Sequence, residues 1–156
     1  MKYFRLLFLL FFVLLFSGLY GQDQTQTEAK NDSLSFLPKG TKIFSIHENK
    51  IVCFLPQNME IQGILCRGHA NDWQTVFFKN GKLELAWLAE DQEIQGYPCK
   101  KASFWTELFG KSAAVHFHEN GKLKRFKLAK KMTIQGHRFK KGSVVRLDTE
   151  GKLVLK

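Results

Sequence analysis

The stretch that decides the fold of this 156-residue chain is residues 115–136, VHFHENGKLKRFKLAKKMTIQG, because both of its distinctive elements recur. The tripeptide Ile-Gln-Gly that ends it is also found at 61–63 and 94–96. The turn element Asn-Gly-Lys-Leu at 120–123 is repeated at 80–83. Self-similarity of this kind is the sequence signature of tandem structural units.

Two partial copies flank the complete ones. Glu-Gly-Lys-Leu stands at 150–153, and residues 47–51 (HENKI) match residues 118–123 (HENGKL) with the glycine deleted. In both complete copies the interval from lysine to isoleucine is the same, as from Lys122 to Ile134. The chain therefore contains about three and a half units.

Each turn element lies between segments in which apolar residues alternate, which is the pattern of a β-hairpin. Asn-Gly predicts a type I′ turn, because both central residues of that turn need a positive φ and these residue types tolerate it. The opposite strand face, which carries His116 and His118, is predicted to meet solvent. Residues two apart share a face, so these pairs before the turns are predicted to face a common core: Phe44/Ile46, Thr75/Phe77, Val115/Phe117 and Val145/Leu147.

The predicted fold is all-β, a meander of stacked β-hairpins that forms either a short solenoid or a curled, partly closed sheet. The odd spacing of Leu83 and Leu88 predicts a bend or bulge in the second strand of the hairpin. A further short strand is predicted around Ile-Gln. The units differ mainly in two loop insertions, residues 67–73 and 102–112, and the second suits one or two helical turns.

The N-terminus has the features of a secretory signal peptide. Every residue from Leu6 to Phe16 is Leu, Phe or Val, and Gly21 offers a small residue for cleavage. The predicted protein is therefore exported to the periplasm, the outer surface or the medium, with no membrane span after cleavage. The alternative is an uncleaved N-terminal anchor, although a span normally needs about twenty apolar residues.

Three segments follow from this interpretation. Residues 1–21 are the predicted signal peptide, which forms a helix and is removed. Residues 22–33 (QDQTQTEAKNDS) are polar and lack an apolar pattern, so they are predicted to be a flexible leader. Residues 34–156 are predicted to form one β-repeat domain.

Charge is distributed unevenly along the chain. Residues 22–99 carry 7 basic and 10 acidic side chains, whereas residues 100–156 carry 15 basic and 4 acidic ones. A cationic surface attracts phosphate and other anionic groups, and salt screens that attraction. The expected partner is a protein or an anionic lipid or polymer of the envelope, and nucleic acid is not expected. The alternative is a solvated face that only aids solubility. The predicted basic surface comprises Lys122, Lys124, Arg125, Lys127, Lys130, Lys131, Lys140 and Lys141.

Three cysteines follow the signal peptide: Cys53, Cys66 and Cys99. Export permits a disulfide, and the odd number leaves one thiol over. The predicted pairing is Cys53 with Cys66. The alternative is that Cys66 and Cys99 are small core residues, because the third unit has Phe139 at the equivalent position.

No catalytic constellation, metal site or cofactor site is predicted. His116 and His118 have the spacing of many metal-ligand pairs, but no third ligand accompanies them, so they are predicted to be surface histidines. Cys66 and His69 would bring a thiol near an imidazole, as a nucleophile and its base require. Neither an orienting group nor an oxyanion hole accompanies them.

Residues 77–83 (FFKNGKL) and 117–123 (FHENGKL) resemble the MORN-variant repeats of bacterial proteins. The resemblance covers the hairpin part of each unit, whereas the unit here is longer and adds Ile-Gln-Gly. Bacterial proteins related in this way are often labelled antitoxin-like, so the resemblance implies a binding or scaffold role more than an active site. No functional residues carry over from it.

The sequence favours an exported, non-enzymatic repeat protein that binds a partner or an anionic envelope component. One alternative is an envelope hydrolase or thiol enzyme that uses Cys66 and His69. Another is a structural module that associates through its sheet edges, because an open stack of hairpins leaves both terminal strands available.

Overall fold

The computed structural model describes residues 34–69, 72–103 and 113–155. All of them belong to one unit of the chain, Ser33–Lys156. The predicted signal peptide, the polar leader and the predicted helical turns within 104–112 lie outside the described residues. Within the described ranges, no helix is long and apolar enough to cross a membrane.

The described chain is all-β, which confirms the predicted fold class. Seven strands form one antiparallel sheet in the order β1-β2-β5-β6-β9-β10-β13, and the others form three short hairpins, β3-β4, β7-β8 and β11-β12. The strands are β1 Lys42–Ile46, β2 Lys50–Phe54, β3 Met59–Ile61, β4 Ile64–Cys66, β5 Gln74–Phe78, β6 Leu83–Ala86, β7 Gln92–Ile94, β8 Tyr97–Cys99, β9 Val115–Phe117, β10 Leu123–Lys127, β11 Met132–Ile134, β12 His137–Phe139 and β13 Val144–Arg146.

Each short hairpin is inserted between two strands of the large sheet. The isoleucines Ile61, Ile64, Ile94 and Ile134 of these hairpins are buried in the same cluster as inward-facing sheet residues such as Phe77. The short hairpins therefore cover one face of the sheet, and the core lies between the two layers. Burial of this shared apolar surface is the main force that holds the layers together.

The predicted inward face is confirmed in three of the four copies. Phe44 and Ile46 in the first copy are 65 % and 54 % exposed, so their predicted place in the core is wrong. The register of edge strand β1 shifts between Ile43 and Ser45, so Phe44 falls at the irregularity. Ile46 lies opposite the buried Ile51 but stays exposed, because no further strand of the described residues pairs with β1 at this edge. The residues confirmed, each at most 4 % exposed, are Thr75, Phe77, Val115, Phe117, Val145 and Leu147.

The type I′ turn predicted at Asn-Gly is wrong. Asn80 does not have a positive φ, but Gly81 does (φ 83°), and the amide of Gly81 donates to the carbonyl of Phe78. This is a type I turn followed by a left-handed glycine, the common three-residue hairpin loop. Two consecutive positive φ angles occur instead in the Ile-Gln-Gly tripeptides, as at Gln95 (52°) and Gly96 (82°).

Ile-Gln-Gly therefore marks the turn of each short hairpin, where the sequence predicted a single short strand. A left-handed non-glycine residue costs about 1–3 kcal/mol, so a glutamine there needs a compensating interaction. Gln95 provides one: its Nε2 donates to the carbonyl of Gly121 at 2.9 Å, and its Oε1 accepts from the amide of Leu123 at 3.0 Å.

The same glutamine clamp occurs in every unit. Gln62 binds the carbonyl of Gly81 and the amide of Leu83, and Gln135 binds the carbonyl of Gly151 and the amide of Leu153. The side-chain amide of glutamine carries an N–H donor next to a carbonyl acceptor, so it can form both of these hydrogen bonds with the backbone at once. Each short hairpin is thereby fastened to the turn of the following long hairpin.

Candidate anion-binding surface

A row of directly paired residues crosses the outer face of the sheet, the face away from the short hairpins. Near the N-terminal edge the row is uncharged, and on β9, β10 and β13 it becomes basic. We call His116, Arg125 and Arg146, with the neighbouring Lys124, the outer-face cluster. In order, the row contains Ser45, Val52, Val76, Leu85, His116, Arg125 and Arg146.

A β-bulge in β10 brings two consecutive basic residues to this face. The register against β9 shifts between Leu123 and Arg125. Leu123 and Phe126 are buried at 0 % and 1 % exposed, whereas Lys124 is exposed and Arg125 is half-buried. An unbulged strand would alternate strictly and would turn one of the two basic side chains inward. The predicted bulge is confirmed, and it concentrates positive charge on one side.

Arg125 and Arg146 lie directly opposite each other on β10 and β13. Like charges in this arrangement destabilise a sheet. Neither guanidinium forms an ion pair with an acidic side chain of the described residues, in contrast to Lys50 on the same face, which pairs with Glu84. The cluster therefore holds positive charge that a bound anion would neutralise.

His116 joins the cluster as an uncharged group at neutral pH. Burial lowers the pKa of His116 below its usual value, and the positive charge of Arg125 lowers it further. Lys124 and Lys50 act in the same direction, whereas Glu84 raises the pKa. The neutral imidazole offers an N–H donor to an anion without adding to the repulsion between the arginines.

The predicted basic residues do not all reach one surface. Lys122 lies in the β9-β10 turn, and Lys124 and Arg125 belong to the outer-face cluster. Lys127 is only 8 % exposed, so it does not contribute to an accessible surface. The remaining four predicted lysines flank the short hairpin β11-β12: Lys130, Lys131, Lys140 and Lys141.

The predicted basic surface omits Arg146 and Arg138, and the sequence placed His116 on the solvent face without a role in anion binding. Arg146 alternates with the inward-facing Val145 and Leu147, so its outward direction was readable from the period of two. Its pairing with Arg125 was not readable, because the hairpin β11-β12 lies between their strands in sequence. Arg138 lies in β12, beside the lysines that flank this hairpin.

The cysteines do not form the predicted bridge. Cys53, Cys66 and Cys99 are all free thiols and 0 % exposed. Burial raises the pKa of each thiol to about 12, so the reactive thiolate is scarce at neutral pH. The alternative assignment of these residues to the core agrees with the structure.

The structure does not bring the other candidate residues together in a site. Nδ1 of the exposed His69 lies 3.7 Å from Oδ2 of Asp72, whereas Cys66 is buried in the core. His118 is half-buried, and its Nε2 lies 2.9 Å from the carbonyl oxygen of Leu147. Across the described residues, no group of three or more His, Cys, Asp or Glu side chains is arranged to hold a metal ion.

Comparison of the chain with protein-family models, with curated proteins and with solved structures found no significant match. Function is therefore inferred from the arrangement of the chain's own residues.

Proposed function

We propose that this protein is an exported repeat protein that binds an anionic component of the cell envelope and catalyses no reaction. The observation that carries the proposal is the pair Arg125 and Arg146, directly opposed on the outer face without an acidic partner in the described part of the chain. Such a pair weakens the free protein and becomes favourable when an anion lies across it.

This arrangement favours binding over a purely solubilising role. Lysines that only aid solubility work best when they are dispersed among acidic side chains. Here Arg125, Arg146 and Lys124 are concentrated by strand pairing and a bulge. The binding or scaffold role implied by the resemblance to MORN-variant repeats is consistent with the same proposal.

Export rests on the apolar run from Leu6 to Phe16 and on the small residue Gly21. An envelope location makes anionic lipids and acidic polymers the abundant candidate ligands. The intact mass of the exported protein tests this part: cleavage after Gly21 gives a chain that begins at Gln22, whereas an anchored protein keeps the apolar run.

The binding proposal is tested with the double variant Arg125→Gln/Arg146→Gln. Each basic residue near an anionic membrane surface contributes about 1 kcal/mol, so loss of both should weaken binding to phosphatidylglycerol-containing vesicles by roughly thirtyfold. Affinity of the wild-type protein should also fall steeply as salt is raised, because salt screens exposed charges.

The matched control is Lys39→Gln/Lys79→Gln, which makes the same charge change at exposed positions outside the outer-face cluster. The cluster variant should also be at least as stable as wild type in urea, because the substitution removes the like-charge repulsion. Equal loss of binding in both double variants, or salt-independent binding of the wild type, would remove the outer-face cluster as the binding surface.

A further inference from the structure

The exposed large apolar side chains of the described residues all lie at the two edges of the seven-stranded sheet. Three belong to the edge strand β1, and two belong to residues 153–155, which lie beside β13 at the opposite edge. Exposed apolar side chains that cluster mark interaction surfaces, whereas scattered ones need no explanation. In chain order they are Ile43, Phe44, Ile46, Val154 and Leu155, and they are 41–65 % exposed.

The exposure of β1 follows from its place in the repeat. Ile46 is 54 % exposed, whereas Phe77, Phe117 and Leu147, at the same position of the later copies, are at most 4 % exposed. Each later copy begins with a strand, β5, β9 or β13, that pairs with the second strand of the preceding long hairpin. Among the described residues, β1 has no such neighbour. The first copy therefore presents a junction surface that the later copies bury.

The opposite edge presents the other half of this junction. Leu153 forms a β-bridge with Leu147, and the amide of Val154 donates to the carbonyl of Arg146 at 2.9 Å. Residues 153–155 therefore hold the place that β2, β6 and β10 hold in the earlier long hairpins. Each of those strands pairs on its other side with the first strand of the next hairpin, and within the described ranges residues 153–155 do not.

The sequence of this second edge is also distinctive. Val154 stands one residue after the leucine of its turn, where the complete copies have the charged residues Glu84 and Lys124. Charge on an edge strand opposes pairing with another chain, whereas an apolar edge favours it. The edge at residues 153–155 therefore lacks a charge that the equivalent strands inside the sheet carry.

We propose that copies of this protein associate head to tail, with residues 153–155 of one copy pairing antiparallel with β1 of the next. This inference goes beyond the proposed anion binding and involves the sheet edges instead of the outer face. The partner is a second copy because the two edges are the halves of a junction that the chain itself forms three times, at β2-β5, β6-β9 and β10-β13. The two halves differ, so the contact is heterologous and builds an open row of copies.

The internal junctions also give the register of the contact. Arg125 and Arg146 are directly opposite at the β10-β13 junction. Leu155 holds the position of Arg125 in its own hairpin, and Ser45 holds the position of Arg146. Leu155 of one copy is therefore expected opposite Ser45 of the next. In this register Ile46, on the inward face of β1, is covered by the core of the preceding copy, which removes its apolar surface from water.

Salt distinguishes this contact from anion binding. The chain carries a formal net charge of +10 at pH 7, so two copies repel each other until salt screens their charges. Self-association through apolar edges should therefore strengthen as salt is raised, whereas anion binding weakens. One strand per copy is much less than the roughly 20–30 residues that each partner contributes to a standard interface, so we expect weak association.

The test uses two variants that each place a charge at one edge, Ile46→Lys on β1 and Val154→Lys at the other edge. Both positions are exposed, so neither lysine has to enter the core. Gln57→Lys makes the same charge change at an exposed loop position and is the matched control. The mean mass of the exported protein is measured by sedimentation velocity at low and high salt, up to a protein concentration of about 1 mM, which reaches weak affinities.

The mean mass of the wild-type protein should rise with concentration, and it should rise more at high salt. Gln57→Lys should behave as the wild type does. Each edge variant should weaken self-association by about tenfold or more, because the contact loses apolar burial and gains a charge. An equimolar mixture of the two edge variants should form a one-to-one dimer, because the mixture keeps one intact copy of each edge. Circular dichroism confirms that each variant is folded.

Three results would refute the head-to-tail contact. The first is a wild-type protein that stays monomeric at every concentration and salt. The second is normal association of Val154→Lys, which would mean that two β1 strands pair with each other or that another surface is used. The third is a mixture of the two edge variants that stays monomeric under conditions in which the wild type associates. None of them bears on the proposed function, whose readout is salt-weakened binding to anionic vesicles that depends on Arg125 and Arg146.

Discussion

The glutamine clamp can be tested by replacing Gln95 with glutamate. Glutamate has nearly the same shape and the same left-handed backbone penalty, so the change is confined to one side-chain group. The acceptor towards the amide of Leu123 is kept. The donor towards the carbonyl of Gly121, now at 2.9 Å, is replaced by a carboxylate oxygen. Two oxygens then face each other where a hydrogen bond was.

The expected cost follows from that exchange. A net hydrogen bond contributes about 0.5–1.5 kcal/mol, and leaving its acceptor opposite a carboxylate adds to the loss. Because the Gln95 side chain is exposed, water offsets part of the penalty. We therefore expect Gln95→Glu to lower the free energy of unfolding by about 1–2 kcal/mol, which is roughly 4–10 °C in Tm for a domain of this size.

Urea unfolding followed by circular dichroism measures the effect, with Gln57→Glu as the control. Gln57 is exposed in a loop, so its substitution makes the same charge change without a clamp to break. The carbonyl of Gly121 opposite the introduced carboxylate raises its pKa in the folded state, and the protonated carboxyl can donate again, so the stability gap should narrow as the pH falls towards about 4. If Gln95→Glu is as stable as Gln57→Glu at neutral pH, the clamp does not fasten the units and the explanation of the Ile-Gln-Gly repeat is wrong.

Two further predictions concern the core and the sheet edge. Thr75 is 0 % exposed, and its Oγ1 has no hydrogen-bond partner in the described part of the chain. Thr75→Val should therefore raise the free energy of unfolding, measured in urea, by about 1 kcal/mol. A lower free energy of unfolding would mean that the hydroxyl forms a hydrogen bond. If the protein associates through its sheet edges, the mass measured by light scattering should rise with protein concentration. Phe44→Lys, at an exposed position of edge strand β1, should abolish the rise, because charge on an edge strand opposes pairing. A constant monomer mass of the wild-type protein would exclude association through the sheet edges.

The sequence could predict the inward face because strand periodicity is local. Val115 and Phe117 lie two apart before a turn, and both are buried as expected. Phe44 and Ile46 have the same spacing, but Phe44 falls at the register shift of β1, and Ile46 stays exposed at the sheet edge although it lies opposite the buried Ile51. Local alternation predicts neither a bulge nor how much of an edge strand the core covers.

The turns show a different limit. Asn-Gly and Ile-Gln-Gly are both recognisable as repeated elements, but the sequence predicted a type I′ turn at Asn-Gly and a strand rather than a turn at Ile-Gln-Gly. Asparagine is the residue type associated with positive φ, whereas the structure places the left-handed residue at glutamine. Gln95 adopts that conformation because its side chain reaches the backbone of Gly121 and Leu123 in the next unit. A tertiary contact outweighs the local preference of the residue.

The sequence by itself determined that this protein is built from repeated hairpins and that positive charge accumulates in its C-terminal third, because repeats, alternation and charge are properties of the linear chain. Only the tertiary structure decided which charges meet. Strands β10 and β13 become neighbours because the intervening hairpin folds onto the opposite face, which brings Arg125 beside Arg146. The same folding buries Lys127 and leaves Arg138 exposed. Contacts between distant segments depend on how the layers pack, and that packing is set by the buried surface of the whole domain.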